Sequence, residues 1–210
     1  MFFEKDKFVV LLDAGHTKKT PGKYSPKFPD GHRFYEWRFN KEVVCRIAER
    51  LLAENIKFEL ICPEIEPEVS LPERVRRAKT YCQKYGTKNC LYLSVHSNAF
   101  GNGEKWETPG GWSIWTSRGY TKSDKIADVF WKVAEPIIKE EGFGMRKELS
   151  DGDMDYEENF YVLKNTPCPA VLTENLFFTN KKECEWLESN RGMDIIADIH
   201  FQAIKMLTAV

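Results

Sequence analysis

Four side chains in this sequence are of the types that hydrolytic metal chemistry uses: His16, Glu36, His96 and Glu174, separated by 20, 60 and 78 residues. Two imidazoles and one carboxylate suffice to hold a catalytic zinc ion while leaving its fourth position open for water. A second carboxylate nearby can take the proton from that water as general base. Zinc lowers the pKa of a bound water to about 7, which makes a hydroxide-like nucleophile available near neutral pH. Taken one at a time, each residue has an ordinary explanation. A histidine at a strand end is more often a satisfied structural residue than a ligand, and a glutamate in the first turn of a helix is usually solvated. Glu174 is the least ordinary, because it directly follows Ala-Val-Leu-Thr and so lies beside buried surface, where carboxylates are rare unless paired or functional. The spacing is not a local motif, so only a shared position in the fold can make these four residues a site.

The apolar patterning supplies that position. Residues 8–12 (Phe-Val-Val-Leu-Leu) form a short continuous apolar run, the pattern of a strand buried on both faces, and His16 follows its carboxyl end. Phe39, Val43, Val44, Ile47, Leu51 and Leu52 fit one face of a helix running from about 36 to 55, which puts Glu36 in its first turn. Residues 58–62 read as a second strand. Ser70-Leu-Pro-Glu73 has capping-box spacing with proline in the first turn and opens a helix over about 71–85. A third strand, 90–95, ends at His96, and a fourth covers 111–116. A helix follows over 123–141, with Pro136 as a point of bending. The acidic stretch 151–158 reads as loop, 160–164 and 170–174 as two further strands, and 181–188 and 193–207 as helices. Strands alternating with helices predict an α/β fold, one layered domain over 1–210 with a mostly parallel sheet of about six strands flanked by helices. Ligands of open α/β sheets bind outside the carboxyl ends of the strands. Three strands would therefore deliver His16, His96 and Glu174 to one edge, with Glu36 close by if the return loop folds back.

Bulk properties exclude several alternatives. At 210 residues the chain can bury a sizeable core without disulfides or a structural metal, and 42% hydrophobic with 13% aromatic residues is an ordinary globular composition. A formal net charge of −1 gives no global basic field for nucleic acid or an anionic membrane. No stretch approaches the ~18 apolar residues of a membrane span. Six cysteines (Cys45, Cys62, Cys82, Cys90, Cys168 and Cys184) include no Cys-x-x-Cys pair and are expected as buried free thiols. The opening Met-Phe-Phe-Glu-Lys-Asp-Lys carries charges where a signal peptide needs apolar residues, so synthesis in the cytoplasm is expected.

In order along the chain, Leu-Leu-Asp13-Ala-Gly15-His16, Glu36, Leu-Ser94-Val-His96-Ser97-Asn98-Ala and Pro169-Ala-Val-Leu-Thr-Glu174-Asn-Leu-Phe-Phe-Thr-Asn180 resemble the zinc-dependent N-acetylmuramoyl-L-alanine amidases of peptidoglycan. Gly110-Gly111 before a strand and Leu71-Pro-Glu-Arg74-Val-Arg-Arg-Ala78 in the second helix agree as well. The resemblance implies His16, Glu36 and His96 as zinc ligands, Glu174 as the catalytic glutamate, and a twisted, mostly parallel sheet. It implies hydrolysis of the amide between N-acetylmuramic acid and L-alanine by a zinc-bound water that Glu174 activates. Peptidoglycan, glycan strand and stem peptide together, would be the partner. Two departures stand out: Thr17-Lys18-Lys19-Thr20 where the family usually has glycines, and Asn175 where it often has glycine. Neither removes a ligand. Asp30, Glu36 and Glu42 compete as the carboxylate ligand, and the family's spacing to the helix favours Glu36. His32 is a further candidate that reads rather as a loop residue.

Two other functions are compatible with such a chain: a catalytically silent wall-binding or regulatory module of the same fold, and a zinc peptidase cutting within the stem peptide. Action on the cell wall or in the periplasm is expected, either as a phage or prophage lysin released through a membrane lesion or as an enzyme whose export signal has been removed. The 19 residues 17–35 are long for a loop in a compact domain. Beside His16 they could wall or cap the cleft, offering Lys18, Lys19, Lys23 and Lys27 to stem-peptide carboxylates, or form a solvated mobile loop. Trp106, Trp112 and Trp115 could stack on sugar rings, but Trp112 and Trp115 have opposite strand parity, so at least one is core. The acidic 151–158 run could meet an amino group or a calcium ion, and reads more simply as a solvated loop.

Overall fold

In the computed structural model, which describes residues 2–149 and 152–208, the first apolar run becomes β1 (Val9–Ala14), buried along its whole length. Val10, Leu12 and Ala14 enter the core on one face and Val9 and Leu11 the core on the other. This two-sided burial is why the run shows no polar alternation. The elements that follow are α1 (Glu36–Ala53), β2 (Lys57–Leu60), α2 (Leu71–Tyr85), β3 (Cys90–Asn98), β4 (Ser113–Thr116), α3 (Lys122–Glu140), β5 (Tyr156–Glu157), α4 (Tyr161–Asn165), β6 (Ala170–Phe177), α5 (Lys181–Glu188) and α6 (Asn190–Thr208).

The six strands form one sheet in the order β2-β1-β3-β6-β4-β5, parallel at every pairing except β4 with β6. Helices α1, α3 and α6 pack on one face, around Phe130, Ile47 and Ile204, while α2 and α4 cover the other, around Tyr92 and Val75. The expected α/β layering with a mostly parallel sheet is therefore what the chain adopts. The three central strands β1, β3 and β6 run side by side with Ala14 opposite Val95 and His96 opposite Glu174, so their carboxyl ends share one edge.

Two assignments are corrected. Residues 160–164, expected as a strand, form helix α4: the Lys164 N–H donates to the Phe160 carbonyl at 2.9 Å, and Val162 and Leu163 turn inward. A five-residue apolar run cannot be told from a buried helical turn by periodicity. The sixth strand comes instead from the acidic stretch expected as loop, where Tyr156 and Glu157 pair with Trp115 and Thr116. Asp155 is buried there and accepts a hydrogen bond from the Thr116 hydroxyl at 2.6 Å, whereas Asp151 lies outside the described residues. At the start of α2 the Ser70 hydroxyl accepts from the Glu73 N–H at 3.3 Å, but the Glu73 carboxylate turns to Arg76 and Arg77, so only half of the capping box forms. All six cysteines are free, five of them buried and Cys45 exposed on α1. Among the described residues no helix is long and apolar enough to cross a membrane.

His200, on α6, was not singled out by the sequence, yet it is fully buried against β6. Its Nδ1–H donates to the Ile196 carbonyl at 2.7 Å, which leaves Nε2 to accept from the Thr173 hydroxyl at 2.8 Å. Burial lowers its pKa to about 4 from 6.5. The unfolded chain therefore takes up this proton more readily than the folded one, so the contribution is intact above the unfolded value of 6.5 and is lost as pH falls toward 4. The full loss amounts to about 3 kcal/mol at the acid limit. Thermal melts from pH 7 to pH 4 are expected to show this decline, with His200→Gln flattening most of it. A variant whose melting temperature falls as steeply as the wild type's would place the acid sensitivity elsewhere.

Candidate metal centre

Beyond the end of β1 the chain stays tied to β3, the Gly15 N–H donating to the Val95 carbonyl at 3.0 Å. His16 then takes φ +62°, the left-handed region that costs a non-glycine residue roughly 1–2 kcal/mol. Contacts on both sides hold it there. Asn40 Nδ2 donates to the Gly15 carbonyl at 2.9 Å, and the Thr17 N–H donates to Thr20 Oγ1 at 3.0 Å. The hydroxyls of Thr17 and Thr20 both donate to Glu68. Thr17-Lys18-Lys19-Thr20, the departure from the family pattern, is thus a built turn. Before it, Asp13 is buried with Arg74 Nη1 at 2.5 Å and the Ser94 hydroxyl at 2.8 Å, and Arg74 also reaches the Ala14 carbonyl at 2.8 Å. Burial pushes the Asp13 carboxyl up, but Arg74 and Ser94 together hold it below its ordinary value.

The three candidate ligands meet. Glu36 Oε2 is 3.3 Å from His16 Nε2 and Glu36 Oε1 is 3.0 Å from His96 Nδ1, with the two imidazoles edge to face at 4.8 Å between centroids. One donor atom from each residue lies within 4.8 Å of the others. Oε1 also accepts from the Ser97 N–H and from Asn40 Nδ2, both at 3.3 Å, whereas Oε2 is buried with no hydrogen-bond donor. Burial raises the Glu36 carboxyl, and the imidazoles of His16 and His96 outweigh it to hold the group well below its usual range. For His16, burial dominates and lowers the pKa despite Glu36.

Glu174 lies across from His96 in the β3–β6 register. Its Oε2 is sealed from solvent without a hydrogen-bond partner, and burial followed by the charge of Glu36 raises its pKa well above the ordinary value. Two carboxyl groups therefore converge with two imidazoles, and Glu36 Oε2 and Glu174 Oε2 are both buried without a hydrogen-bond donor. Such groups are costly unless paired or coordinated to metal. Two nitrogens and a carboxylate oxygen are the donors of a catalytic zinc site, so the residues fit that ion.

The competing candidates lie elsewhere. His32 bonds Asp30 at 2.5 Å and Glu188 at 3.2 Å in an exposed cluster and stacks on Phe28, while Glu42 is exposed and pairs with Arg46 at 2.9 Å. Residues 17–35 are an ordered wall. The Ser25 N–H donates to the Phe34 carbonyl at 3.0 Å, Tyr24 and Tyr35 form an antiparallel bridge, and Phe28 meets the edge of Trp106 at 4.9 Å. Trp112 is core, as parity required of at least one of the pair, and Trp115 stacks on Tyr156 at 4.6 Å.

Sequence reasoning missed Asn40 and Asn175. Both are fully buried: Asn40 bonds Gly15 and Glu36, and Asn175 donates to the His96 carbonyl at 2.8 Å while accepting from Trp112 Nε1 at 2.8 Å. The available signal was an amide inside an apolar pattern: Asn40 lies one turn after Glu36 on the buried face of α1, and Asn175 interrupts the apolar residues of β6.

The family model for N-acetylmuramoyl-L-alanine amidase matches residues 10–206. An endolysin of Bacillus phage SPP1 is 27% identical over 201 residues, covering 93% of this chain and 64% of that protein. The N-acetylmuramoyl-L-alanine amidase CwlM of Bacillus licheniformis is 25% identical over 194 residues, covering 91% and 65%. The chain thus spans just under two thirds of each relative's length. The catalytic domain of CwlV, an N-acetylmuramoyl-L-alanine amidase from Bacillus (Paenibacillus) polymyxa var. colistinus, has the same fold, with a TM-score of 0.74 at 24% identity over 95% of this chain and 97% of that one. The CwlD amidase of Clostridioides difficile superposes with a TM-score of 0.73 at 17% identity, covering 95% and 98%.

Proposed function

Because the chain belongs to the N-acetylmuramoyl-L-alanine amidase family, we propose that it hydrolyses the amide between N-acetylmuramic acid and L-alanine in peptidoglycan. In this reading His16, Glu36 and His96 hold zinc, Glu174 is the general base, and residues 1–210 are one catalytic domain acting on the cell wall. The observation that carries it is the meeting of His16, Glu36 and His96 donors within 4.8 Å, with Glu174 across from His96.

When bound, zinc supplies a Lewis acid that polarises the scissile carbonyl and lowers the pKa of a water molecule to about 7. The protein's own groups do the rest. Asn40 and the Ser97 N–H engage Glu36 Oε1 and so orient the carboxylate that, with His16 and His96, would hold the ion. Asn175 fixes the main chain of His96 and the turn around Thr17 and Thr20 fixes that of His16. Glu174 accepts a proton from the attacking water and returns it to the departing amide nitrogen, so that the stem peptide leaves as a neutral amine. The raised proton affinity that burial and Glu36 give the carboxyl suits it to hold that proton between the two transfers.

The test is mass spectrometry of purified peptidoglycan fragments incubated with the protein, with chelator and with zinc restored. Free stem peptides beginning at L-alanine, lost with chelator and recovered with zinc, are expected. Fragments left uncut under all conditions would mean a wall-binding module, and cleavage further along the peptide a peptidase.

A further inference from the structure

The left-handed turn at His16 is gripped from outside by a segment distant in the chain. Residues 65–69, in the connection from β2 to α2, lie against the turn 17–20. The Lys18 N–H donates to the Ile65 carbonyl at 3.1 Å, and the ammonium groups of Lys18 and Lys19 pair with Glu66 at 3.1 and 3.4 Å. The hydroxyls of Thr17 and Thr20 both donate to the same carboxylate oxygen, Glu68 Oε2. Since the Thr17 N–H also donates to Thr20 Oγ1 at 3.0 Å, that one oxygen closes both ends of the turn that follows His16.

These contacts are not equivalent. Lys18, Lys19 and Glu66 are exposed, and ion pairs in water are worth little. Thr17 is fully buried, so its hydroxyl has no water to turn to and depends on Glu68. Glu68 is exposed but anchored, its Oε1 standing 3.9 Å from Arg74 Nη2. Arg74, buried on α2, also holds the Asp13 carboxylate and the Ala14 carbonyl ahead of His16, and its Nε donates to the Val69 carbonyl at 3.0 Å, next to Glu68. One guanidinium thus ties the strand that leads into His16 to the segment that grips the turn leading out.

We propose that Glu68 is a positioning residue for His16 and sets the zinc affinity of the centre without touching the ion. By holding Thr17 and Thr20 it keeps residue 16 at φ +62°, and with it the imidazole at 3.3 Å from Glu36. Released from the grip, the main chain of residue 16 relaxes toward the negative φ that L-residues prefer, and the ring leaves the arrangement in which three donors meet. The threonines make this grip possible, since glycines in their place would offer Glu68 no hydroxyl. The proposal rests on the reading of His16, Glu36 and His96 as the zinc site and adds a surface carboxylate that governs it.

The experiment titrates the metal-free protein with zinc against a chromophoric chelator, for the wild type, Glu68→Ala, Glu68→Gln, Thr17→Val and the Glu68→Ala/Thr17→Val double variant. Glu68→Ala is expected to bind zinc roughly tenfold more weakly, the range over which outer supports of a ligand act. Glu68→Gln is expected to stay within about threefold of the wild type, because an amide oxygen still accepts from both hydroxyls. Thr17→Val is expected to show part of the Glu68→Ala loss, and the double variant to be no weaker than Glu68→Ala alone, as for two residues acting through one contact. Turnover on peptidoglycan fragments is expected to fall in Glu68→Ala at limiting zinc and to return at excess zinc, with KM unchanged. Zinc affinity within about threefold of the wild type in Glu68→Ala would overturn the proposal, and a lowered melting temperature beside it would leave Glu68 a purely structural role. Losses that multiply in the double variant, or a Glu68→Gln as weak as Glu68→Ala, would overturn it as well. A wild type that takes up no zinc would instead bring down the metal-centre reading on which the proposal rests.

Discussion

Glu174→Gln is expected to lower turnover by roughly 10²–10⁴-fold, the range over which a positioned acid–base group contributes, while the protein still folds and still takes up zinc. Glutamine matches glutamate in shape but cannot accept and return a proton. The folded state loses no donor by the change, since Glu174 Oε2 has no hydrogen-bond partner to forfeit. It also sheds a buried carboxyl whose ionisation is opposed by burial and by Glu36. Metal content, thermal melting and turnover on peptidoglycan fragments must be read together. Activity within about threefold of the wild type would remove Glu174 from the proton path. A variant that folds but no longer holds zinc would make Glu174 a ligand instead of a base.

What the sequence could reveal about this centre followed the range of each interaction. β1, β3 and β6 are buried on both faces, so each appears as an unbroken apolar run and its end can be placed to within a few residues. His16 stands just past the end of β1, His96 and Glu174 lie two and three residues before the ends of β3 and β6, and a parallel sheet brings such ends to one edge. Glu36 was legible by another route, as the first-turn residue of a helix whose period was clear. The residues that stiffen the centre were not legible in this way. Arg74 reaches Asp13 across 61 positions and Asn175 reaches His96 across 79, and no local pattern encodes a partner so distant. The exchange of strand for helix at 160–164 has a related cause. Over five residues the two patterns coincide, and tertiary packing on Val162 and Leu163 decides between them. Order in the 17–35 wall rests on backbone pairing between Ser25 and Phe34, which composition does not report.

Gly15→Ala is expected to cost about 100-fold or more in zinc affinity and to take activity with it, although only one methyl group is added and no candidate ligand is itself replaced. The reason is space. A Cβ on residue 15 would clash with the imidazole ring of His96, meeting Nδ1, Cε1 and Nε2 together well inside contact distance. The main chain of residue 15 cannot retreat, because its N–H bonds Val95 and its carbonyl bonds Asn40. The main chain of His96 cannot either, because its carbonyl is held by Asn175 and its strand by β1 and β6. The ring must therefore turn away from Glu36 and His16. Zinc–ligand distances tolerate only about 0.2 Å of error, and losing even an outer support of a ligand commonly costs 10–100-fold in affinity. Displacing the ligand itself is the larger insult. The fold absorbs the methyl at a smaller cost, typically about 1–3 kcal/mol for an overpacked site. The expected signature is thus a metal-free protein that melts cooperatively at a modestly lower temperature but competes poorly with a chromophoric chelator for zinc. An affinity within about threefold of the wild type would mean that the His96 ring has another productive position, and that the contact with Gly15 does not set the geometry of the centre.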